Sequence, residues 1–282
     1  MSKISYINGE FLPHDKCFVH IEDRGFQFAD GAYEVTLFEN GKLVDADSHI
    51  ERFFRSLREL RIDHNFSADE LKKIQLELFS RNKMDSGTCY MQVTRGVHNR
   101  IPSIPRNLKP TICATVSLRK KVSAEEFERG FSLMTHEDIR WQRCDIKTVN
   151  LLASSMVNQR AKDNGFDDAI FVRSGIVTEA TFANAFIVDE DDILITKPAD
   201  NHILRGITRN RLIKIAQENG IRILERDFSV VEMMSAKEVF LTSASLIIRP
   251  VATIDGKKIF DGKNRKIANI LNAGYSDFIN LG

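Results

Sequence analysis

The chain has 282 residues, of which 43% are hydrophobic, and its 40 lysines and arginines almost balance its 39 aspartates and glutamates. This length and composition support more than one hydrophobic core, so we predict two domains. A net charge of +1 excludes an overall electric field that would attract nucleic acid or an anionic membrane. The expected partner is a small molecule or another protein.

The first part of the chain is predicted to combine hairpins with two helices. Asn-Gly pairs at positions 8–9 and 40–41 each separate two strand-like runs, and this dipeptide accepts the positive φ angles of a two-residue turn. Apolar residues then recur at helical spacing over 50–60, and a second helix at about 68–83 follows the capping-box pair Ser67 and Glu70. Paired strands near 88–97 and 109–118 complete a smaller N-terminal domain over residues 1–118.

A charged stretch without a strand pattern is predicted to be a linker at 119–126, and a larger C-terminal domain follows at 127–282. Helices are predicted there at about 149–164, 207–219 and 230–234. Strand patterns cover 168–173, 185–196, 238–244 and 249–259. Mixed elements with several hairpins predict the α+β class, with no internal repeat.

The four cysteines are widely scattered and form no CxxC pair, which argues against a zinc site or a disulfide framework. No run of 18 apolar residues and no signal-peptide core is seen. We therefore expect a cytoplasmic protein without a metal and without a membrane partner.

Lys147 is the first candidate for chemistry. It precedes a predicted helix, and its sequence neighbours include the apolar residues Trp141, Val149, Leu151 and Leu152. Apolar surroundings disfavour the charged form of a lysine and leave a neutral amine that can react with a carbonyl group. A lysine that extends its charged end into water would give the same pattern.

Two further segments add a carboxylate and an anion site. Glu179 is followed by small residues in a strand-rich region, although a solvated carboxylate at a strand end would look the same. Gly206, Ile207 and Thr208 open a predicted helix, where backbone N–H groups and the Thr208 hydroxyl could bind an anion. Many helix starts of this kind hold only a capping residue.

Four motifs carry a family resemblance: "DRGFQFADGAYEV", "DIKTVNLL", "VTEATFANAF" and "ILRGITR", in this order. Over nearly its full length the chain resembles the fold-type IV (class IV) aminotransferases, and within them the D-amino acid transaminases. The resemblance implies a two-domain α+β fold, pyridoxal 5'-phosphate as cofactor, and a homodimer with shared active sites. It also implies ping-pong transfer of an amino group from a D-amino acid, such as D-alanine or D-glutamate, to a 2-oxo acid.

The resemblance assigns a role to each cofactor-binding residue. Lys147 is the catalytic residue, which forms a Schiff base with the cofactor and moves the α proton of the substrate. Glu179 pairs with the pyridine nitrogen, and Leu204 packs against the ring. The remaining positions bind the phosphate group: Arg52, Ile207, Thr208, Ser243 and Ala244. The alternative for Arg52 is a place on the solvated face of its amphipathic helix.

The substrate carboxylate is assigned to Tyr33 and Arg100, and Arg100 serves the neighbouring subunit. Relatives have a histidine two positions after that arginine, whereas this chain has Pro102, which has no side-chain donor. His98, Arg24 and Arg249 are candidates to compensate, and we expect Arg24 or Arg249 to replace the missing histidine. The alternative is that all three are ordinary loop charges in water.

Other departures concern the phosphate site. Residues 242–251 read "TSASLIIRPV", so Ala244 stands where relatives have a threonine, and residues 181–183 lack the serines that relatives show after the glutamate. Alternatives on the same fold are a branched-chain L-amino acid aminotransferase, an (R)-amine transaminase and an aminodeoxychorismate lyase. A non-catalytic pyridoxal-phosphate-binding protein is the alternative from a different class.

Overall fold

The structure is a computed structural model that describes residues 3–259 and 265–281. These residues form two compact units. The first unit comprises residues 3–120 and 146–150, and the second comprises 121–145 together with the described residues from 151 onwards. Residues 146–150, which include Lys147, were predicted within the C-terminal domain but pack with the first unit.

The first unit contains six strands and three helices. In chain order the strands are β1 (Ile4–Ile7), β2 (Glu10–Pro13), β3 (Gly31–Glu39), β4 (Lys42–Leu43), β5 (Gly87–Thr94) and β6 (Thr111–Ser117). The helices are α1 (Arg24–Phe28), α2 (Ala46–Glu59) and α3 (Ala68–Arg81), with a short 3-10 turn at His14–Lys16. The strands form one antiparallel sheet in the order β2-β1-β6-β5-β3-β4.

Both predicted hairpin turns are confirmed. Asn8 and Gly9 have φ angles of 49° and 105° between β1 and β2, and Asn40 and Gly41 have φ angles of 52° and 77° between β3 and β4. These left-handed conformations are the ones that a two-residue hairpin requires.

Helices α2 and α3 cover the sheet with apolar sides, as their spacing predicts. Phe53 and Leu57 of α2 and Leu71 and Leu78 of α3 are almost fully buried in the core of this unit. The capping box of α3 is present, since the side chain of Ser67 accepts from the Glu70 N–H and the Glu70 side chain accepts in return. Short helix α1 was not predicted.

The second unit contains nine strands and five helices. The strands are β7 (Phe131–Glu137), β8 (Asp168–Arg173), β9 (Ile176–Ala180), β10 (Asn184–Val188), β11 (Leu194–Thr196), β12 (Ile223–Glu225), β13 (Glu238–Thr242), β14 (Arg249–Ile254) and β15 (Lys257–Lys258). The helices are α4 (Ala124–Arg129), α5 (Leu152–Asp163), α6 (Ile207–Glu218), α7 (Val230–Ser235) and α8 (Lys266–Leu281). The sheet order is β12-β11-β10-β13-β14-β7-β8-β9, and β15 pairs with β14.

This sheet mixes parallel and antiparallel pairs, and β7 is an interior strand, third from the β9 edge. β7 is parallel to both β14 and β8, and α5 lies on the connection from β7 to β8. A parallel pair needs such a crossover connection, which is why a helix stands between these two strands. β7 was not predicted, because only Leu133 of its seven residues is fully buried and the sequence shows no clear alternation.

Two helices of this unit differ from the sequence-based expectation. The predicted linker at 119–126 contains the start of α4, whose capping box joins Ser123 and Glu126. Helix α8 was not predicted, although Ile267, Leu271 and Tyr275 recur at a spacing of four and are buried.

The α+β class is confirmed. No helix within residues 3–259 and 265–281 combines the length and the apolar composition needed to cross a membrane.

Candidate functional site

Lys147 is fixed to the start of β3 by its backbone. The N–H of Tyr33 donates to the carbonyl of Lys147 at 3.0 Å, and the N–H of Val149 donates to the carbonyl of Gly31 at 3.1 Å. The N–H of Lys147 itself donates to the hydroxyl oxygen of Ser56 on α2 at 3.2 Å. The position of the lysine backbone is therefore set by both the sheet and a helix of the first unit.

The Lys147 amine lies against an aromatic ring. Its Nζ is 4.1 Å from the centroid of the Tyr33 ring, and that ring stacks on Tyr90 at 5.5 Å. The apolar surroundings expected from the sequence neighbours are not formed by Trp141 and Leu152, which are 42% and 69% exposed. The sequence neighbours of Lys147 were misleading because the ring that contacts the amine belongs to Tyr33 of β3.

Arg52 is buried in a cluster with two residues that sequence reasoning did not select. Its Nε and Nη2 donate to the two carboxylate oxygens of Glu34 at 2.7 and 2.8 Å, and His49 Nδ1 lies 2.8 Å from Glu34 Oε2. Arg52 is 9% exposed, so the alternative of a solvated helix face is wrong. Burial by itself would raise the pKa of the Glu34 carboxyl, but the charge and hydrogen bonds of Arg52 outweigh it and hold this pKa far below its usual range. A glutamate between Tyr33 and Val35 in β3 was the available signal.

The segment "DRGFQFADG" acts as a scaffold for the start of β3. Asp23 caps α1 by accepting from the Gly25 N–H at 2.8 Å, and it also accepts from the Thr94 hydroxyl at 2.9 Å. A Cβ atom on Gly25 would lie 2.2 Å from Thr94 Cγ2, and one on Gly31 would lie 2.7 Å from a backbone carbonyl. Both glycines are therefore required by close packing.

The predicted replacements for the missing histidine make internal contacts. Arg24 is 3% exposed, and its Nε and Nη1 donate to Asp30 and to the Ile101 carbonyl, each at 2.8 Å. Arg249 lies in the second unit with its Cζ 4.5 Å from the Phe131 ring centroid, and burial lowers its pKa. These contacts do not support the expectation that Arg24 or Arg249 replaces the histidine, and they also exclude the alternative that these two are loop charges in water.

His98 and Arg100 lie on an exposed loop of the first unit. His98 Nδ1 is 2.8 Å from the Asn99 carbonyl. Arg100 is exposed, and its Cζ lies 5.0 Å from the centroid of the Phe28 ring. Pro102 is exposed on the same loop.

Glu179 is a buried carboxylate at the end of β9, so the alternative of a solvated carboxylate is wrong. It is 5% exposed, and it accepts from Arg140 Nη1 at 2.6 Å, from Asn184 Nδ2 at 3.0 Å and from the Leu204 N–H at 3.1 Å. Burial raises the pKa of the Glu179 carboxyl, and the Arg140 guanidinium opposes that rise. An ionised carboxylate has about four acceptor positions, so these three bonds leave room for one more donor.

Arg140 is a residue that sequence reasoning missed. Its Nε and Nη2 donate to the two oxygens of Asp138 at 2.9 and 3.0 Å, and its Cζ lies 4.4 Å from the Phe171 ring centroid. Burial disfavours its charge, but the neighbouring Glu179 and Asp138 raise the pKa of Arg140 overall. The pair of opposite charges two positions apart, just after β7, was the only local signal.

The start of α6 is packed directly against the residues around Glu179. A Cβ atom on Gly206 would lie 2.0 Å from Asn184 Oδ1, so only glycine fits. Leu204 accepts from Asn184 Nδ2 at 2.8 Å through its carbonyl. No side chain caps the helix, and Ile207 and Thr208 are both buried in its first turn. An uncapped helix start of this length is suited to hold an anion.

The other predicted phosphate residues follow β13. Ser243 Oγ accepts from the Leu246 N–H at 3.3 Å, and Ala244 is half-buried. Thr242, opposite Asn184 in the sheet, has a buried hydroxyl oxygen without a hydrogen-bond partner in the described part of the chain. The Thr181 hydroxyl donates to Asp168 and so is used within the fold. Thr242 was not predicted, and an unpaired buried hydroxyl calls for a ligand or a water molecule.

Comparison with known proteins relates the sequence to aminotransferases. The sequence matches the family described as amino-transferase class IV over residues 31–254. It is 39% identical to a D-alanine aminotransferase of Bacillus licheniformis over 255 residues, which are 90% of this chain and 89% of that protein.

Solved structures share the fold. A branched-chain amino acid aminotransferase of Escherichia coli has a TM-score of 0.91 at 22% identity, covering 99% of this chain and 95% of that chain. A hypothetical aminotransferase of Mycobacterium tuberculosis in its PLP-bound form has a TM-score of 0.83 at 22% identity, covering 97% and 99%.

The Glu34 cluster makes stability depend on pH in a defined direction. Because the pKa of Glu34 is lower in the folded state than its ordinary value of 4.5, its contribution is present above that value and is lost as the pH falls below it. We expect Glu34→Gln to lower the free energy of unfolding by about 3–5 kcal/mol at neutral pH, since it breaks a buried ion pair. The difference in the free energy of unfolding between Glu34→Gln and wild type should shrink by about 1.4 kcal/mol for each pH unit below that value.

Urea unfolding followed by circular dichroism, near neutral pH and at about pH 3.5, measures both quantities. Glu10→Gln is the control, because Glu10 is exposed on β2. If the difference in the free energy of unfolding between wild type and Glu34→Gln stayed constant with pH, the lowered pKa of Glu34 would be contradicted.

Proposed function

The chain belongs to the class IV aminotransferases, and on that basis we propose that it transfers the amino group of a D-amino acid, such as D-alanine or D-glutamate, to a 2-oxo acid. The observation that carries this proposal is the 39% identity to a D-alanine aminotransferase over 90% of the chain. The branched-chain enzyme of similar structure is only 22% identical, so its likeness concerns the fold alone. A cytoplasmic location is part of the proposal, and the four free cysteines support it.

Pyridoxal 5'-phosphate is the cofactor of this enzyme, and the residues present fit it. When bound, it supplies an aldehyde carbon that reacts with amines and a pyridine ring that accepts electron density. The chain provides a half-buried amine at Lys147, a buried carboxylate at Glu179 with one acceptor position left, and an uncapped helix start at Gly206. The unpaired buried hydroxyl of Thr242 is a further group suited to a polar ligand.

Lys147 is proposed as the catalytic residue. Its Nζ would bind the cofactor covalently, release it to the incoming amine, and then accept and return the α proton of the substrate. Tyr33 restricts the amine through the contact at 4.1 Å, and the hydrogen bonds to β3 and α2 hold the backbone. A proton carrier held in this way needs little rearrangement during turnover.

Glu179 is proposed to hold the proton on the pyridine nitrogen. For this role the carboxylate must stay ionised, whereas burial favours its neutral form. Arg140 opposes this effect of burial by donating to the Glu179 carboxylate at 2.6 Å. Asp138 in turn fixes the arginine by two hydrogen bonds. The Asn184 and Leu204 donors complete the orientation of the carboxylate.

Phosphate binding is proposed for Arg52, for the first turn of α6, and for Ser243 and Ala244. Arg52 is fixed by Glu34 in a two-bond geometry, which leaves its orientation well defined. In α6 the anion would accept from backbone N–H groups near Ile207 and Thr208. Ala244 can contribute only its backbone N–H.

Substrate binding is proposed for Tyr33 and Arg100. The homodimer that this requires has support in the first unit, where an apolar surface is exposed around residues 18–21 and 97–104. Phe18, Ile21 and Ile104 are 76%, 73% and 56% exposed there, and a β-bridge pairs Val97 with Asp23, which follows the first segment. Exposed apolar patches of this kind mark protein interfaces.

A panel of amino donors tests the proposed function. We expect turnover of D-alanine or D-glutamate with 2-oxoglutarate or pyruvate, and little turnover of L-leucine, L-glutamate or (R)-1-phenylethylamine. Lys147→Ala should lose at least about 10³-fold in turnover, because it removes the proton carrier. Lys162→Ala, on the exposed side of α5, is the control. Preference for L-leucine or for the amine would identify one of the alternatives on this fold, and no turnover of any donor would favour a lyase or a non-catalytic protein.

Glu179→Gln tests the role of the buried carboxylate. A neutral amide cannot stabilise a protonated ring nitrogen to the same extent, so we expect the half-reaction with D-alanine to slow by about 10²–10³-fold while the cofactor stays bound. Stopped-flow absorbance measures the half-reaction, and Glu190→Gln, which alters an exposed glutamate, is the control. An unchanged rate would reassign Glu179 to a structural role.

Subunit mixing tests the shared active site. Lys147→Ala and Arg100→Ala homodimers are each expected to turn over D-alanine poorly, whereas a heterodimer would contain one site with both residues intact. Activity should therefore rise after the two variants are mixed and exchanged, with subunit exchange verified by native mass spectrometry. Verified exchange without a rise in activity would show that Arg100 does not act across the dimer.

A further inference from the structure

Phe28 stands between two arginines that have different surroundings. Its ring centroid is 4.6 Å from Arg24 Cζ and 5.0 Å from Arg100 Cζ. Arg24 is buried, and Asp30 and the Ile101 carbonyl accept from it. Arg100 is exposed, and within residues 3–259 and 265–281 no carboxylate lies within salt-bridge distance of it. Of the two, only Arg100 is open to a ligand.

The backbone before Arg100 is anchored, so the freedom of this residue lies in its side chain. The N–H of Arg24 donates to the Gly96 carbonyl at 2.9 Å, and the N–H of His98 donates to the Glu22 carbonyl at 3.3 Å. An exposed arginine on such a loop has many rotamers, and ordering it for a ligand costs conformational entropy. A ring that already contacts the guanidinium reduces that cost.

The carboxylates beside Phe28 are already engaged within the fold. Arg95 donates to both oxygens of Asp30, the same carboxylate that pairs with Arg24. Asp23 accepts from the Gly25 N–H and from the Thr94 hydroxyl. The Arg100 guanidinium, whose side chain is accessible, therefore remains available for an anionic ligand.

We propose that Phe28 is a positioning residue that holds the Arg100 guanidinium for the carboxylate group of the amino donor. This inference rests on the proposed function and replaces the expectation that a second arginine stands in for the missing histidine. Phe28 acts through Arg100, and its effect is confined to ligands that carry a carboxylate.

Two amines of similar size isolate this effect. D-Alanine and isopropylamine are alike except that isopropylamine has a methyl group where D-alanine has its carboxylate. We expect Phe28→Leu to raise the KM for D-alanine by about 2–5-fold with kcat little changed, which corresponds to the loss of one exposed cation–π contact. The inhibition constant of isopropylamine, measured as a competitor of D-alanine, should not change. Phe28→Tyr keeps the aromatic face and should retain the wild-type values.

A binding measurement removes the dependence on turnover. Propanoate carries the carboxylate without an amine, and calorimetric titration of the holoenzyme gives its Kd. We expect the same rise of about 2–5-fold in Phe28→Leu. In the Arg100→Ala background the Phe28→Leu change should add nothing, because Phe28 acts through that arginine. Phe26→Leu is the control, since Phe26 lies on the same helix but is 75% exposed.

The results separate the inference from the proposed function. An equal effect of Phe28→Leu on isopropylamine, a further loss in the Arg100→Ala background, or loss in Phe28→Tyr would overturn the positioning role and leave the transamination intact. Absence of propanoate binding to the wild-type holoenzyme would also overturn it. If the enzyme used no D-amino acid, the proposed function would fail. The propanoate titration would still test whether Phe28 acts through Arg100.

Discussion

The hydrogen bonds between residues 146–150 and the start of β3 are the constraint on which the position of Lys147 depends. They place the Lys147 backbone beside the strand that carries Tyr33 and Glu34. The strand itself is held by close packing, since any Cβ on Gly31 would collide with the Val93 carbonyl. One short stretch of strand therefore positions the amine, the ring that contacts it, and the carboxylate that orients Arg52. A disturbance of this strand would affect all three.

A second constraint is the burial of charge around Glu179. Removing a carboxylate from water favours its neutral form, and a nearby guanidinium restores the ionised form only if it is itself held in place. Arg140 meets this requirement through its two hydrogen bonds to Asp138. Asn184 extends the network to the start of α6, because it contacts Glu179 and also lies where a Gly206 Cβ would stand. The residue proposed for the ring nitrogen and the helix start proposed for the phosphate are thus coupled by packing.

Fold and substrate are separate questions in this family. A branched-chain aminotransferase superimposes well at 22% identity, so the arrangement of the sheets does not decide which donor is used. The loop that carries Arg100 has Pro102, which has no side-chain donor. Arg24 already donates to Asp30 and to the Ile101 carbonyl. We therefore propose that the exposed Arg100 guanidinium binds the carboxylate of the donor.

Local sequence patterns determined the two Asn-Gly hairpins, the apolar sides of α2 and α3, and the capping of α3, because each depends on residues a few positions apart. The motifs around Lys147 and Glu179 likewise identified the family and its cofactor. Only the tertiary structure decided which groups surround those residues. Tyr33 and Ser56 reach Lys147 from more than 90 positions away, and Arg140 reaches Glu179 across 39 positions. β7 lies in the interior of its sheet without a visible alternation. The periodicity of apolar residues indicates which side of a helix or strand is buried. Contacts between distant segments depend on how the strands are ordered and paired, and no local stretch of sequence determines that order.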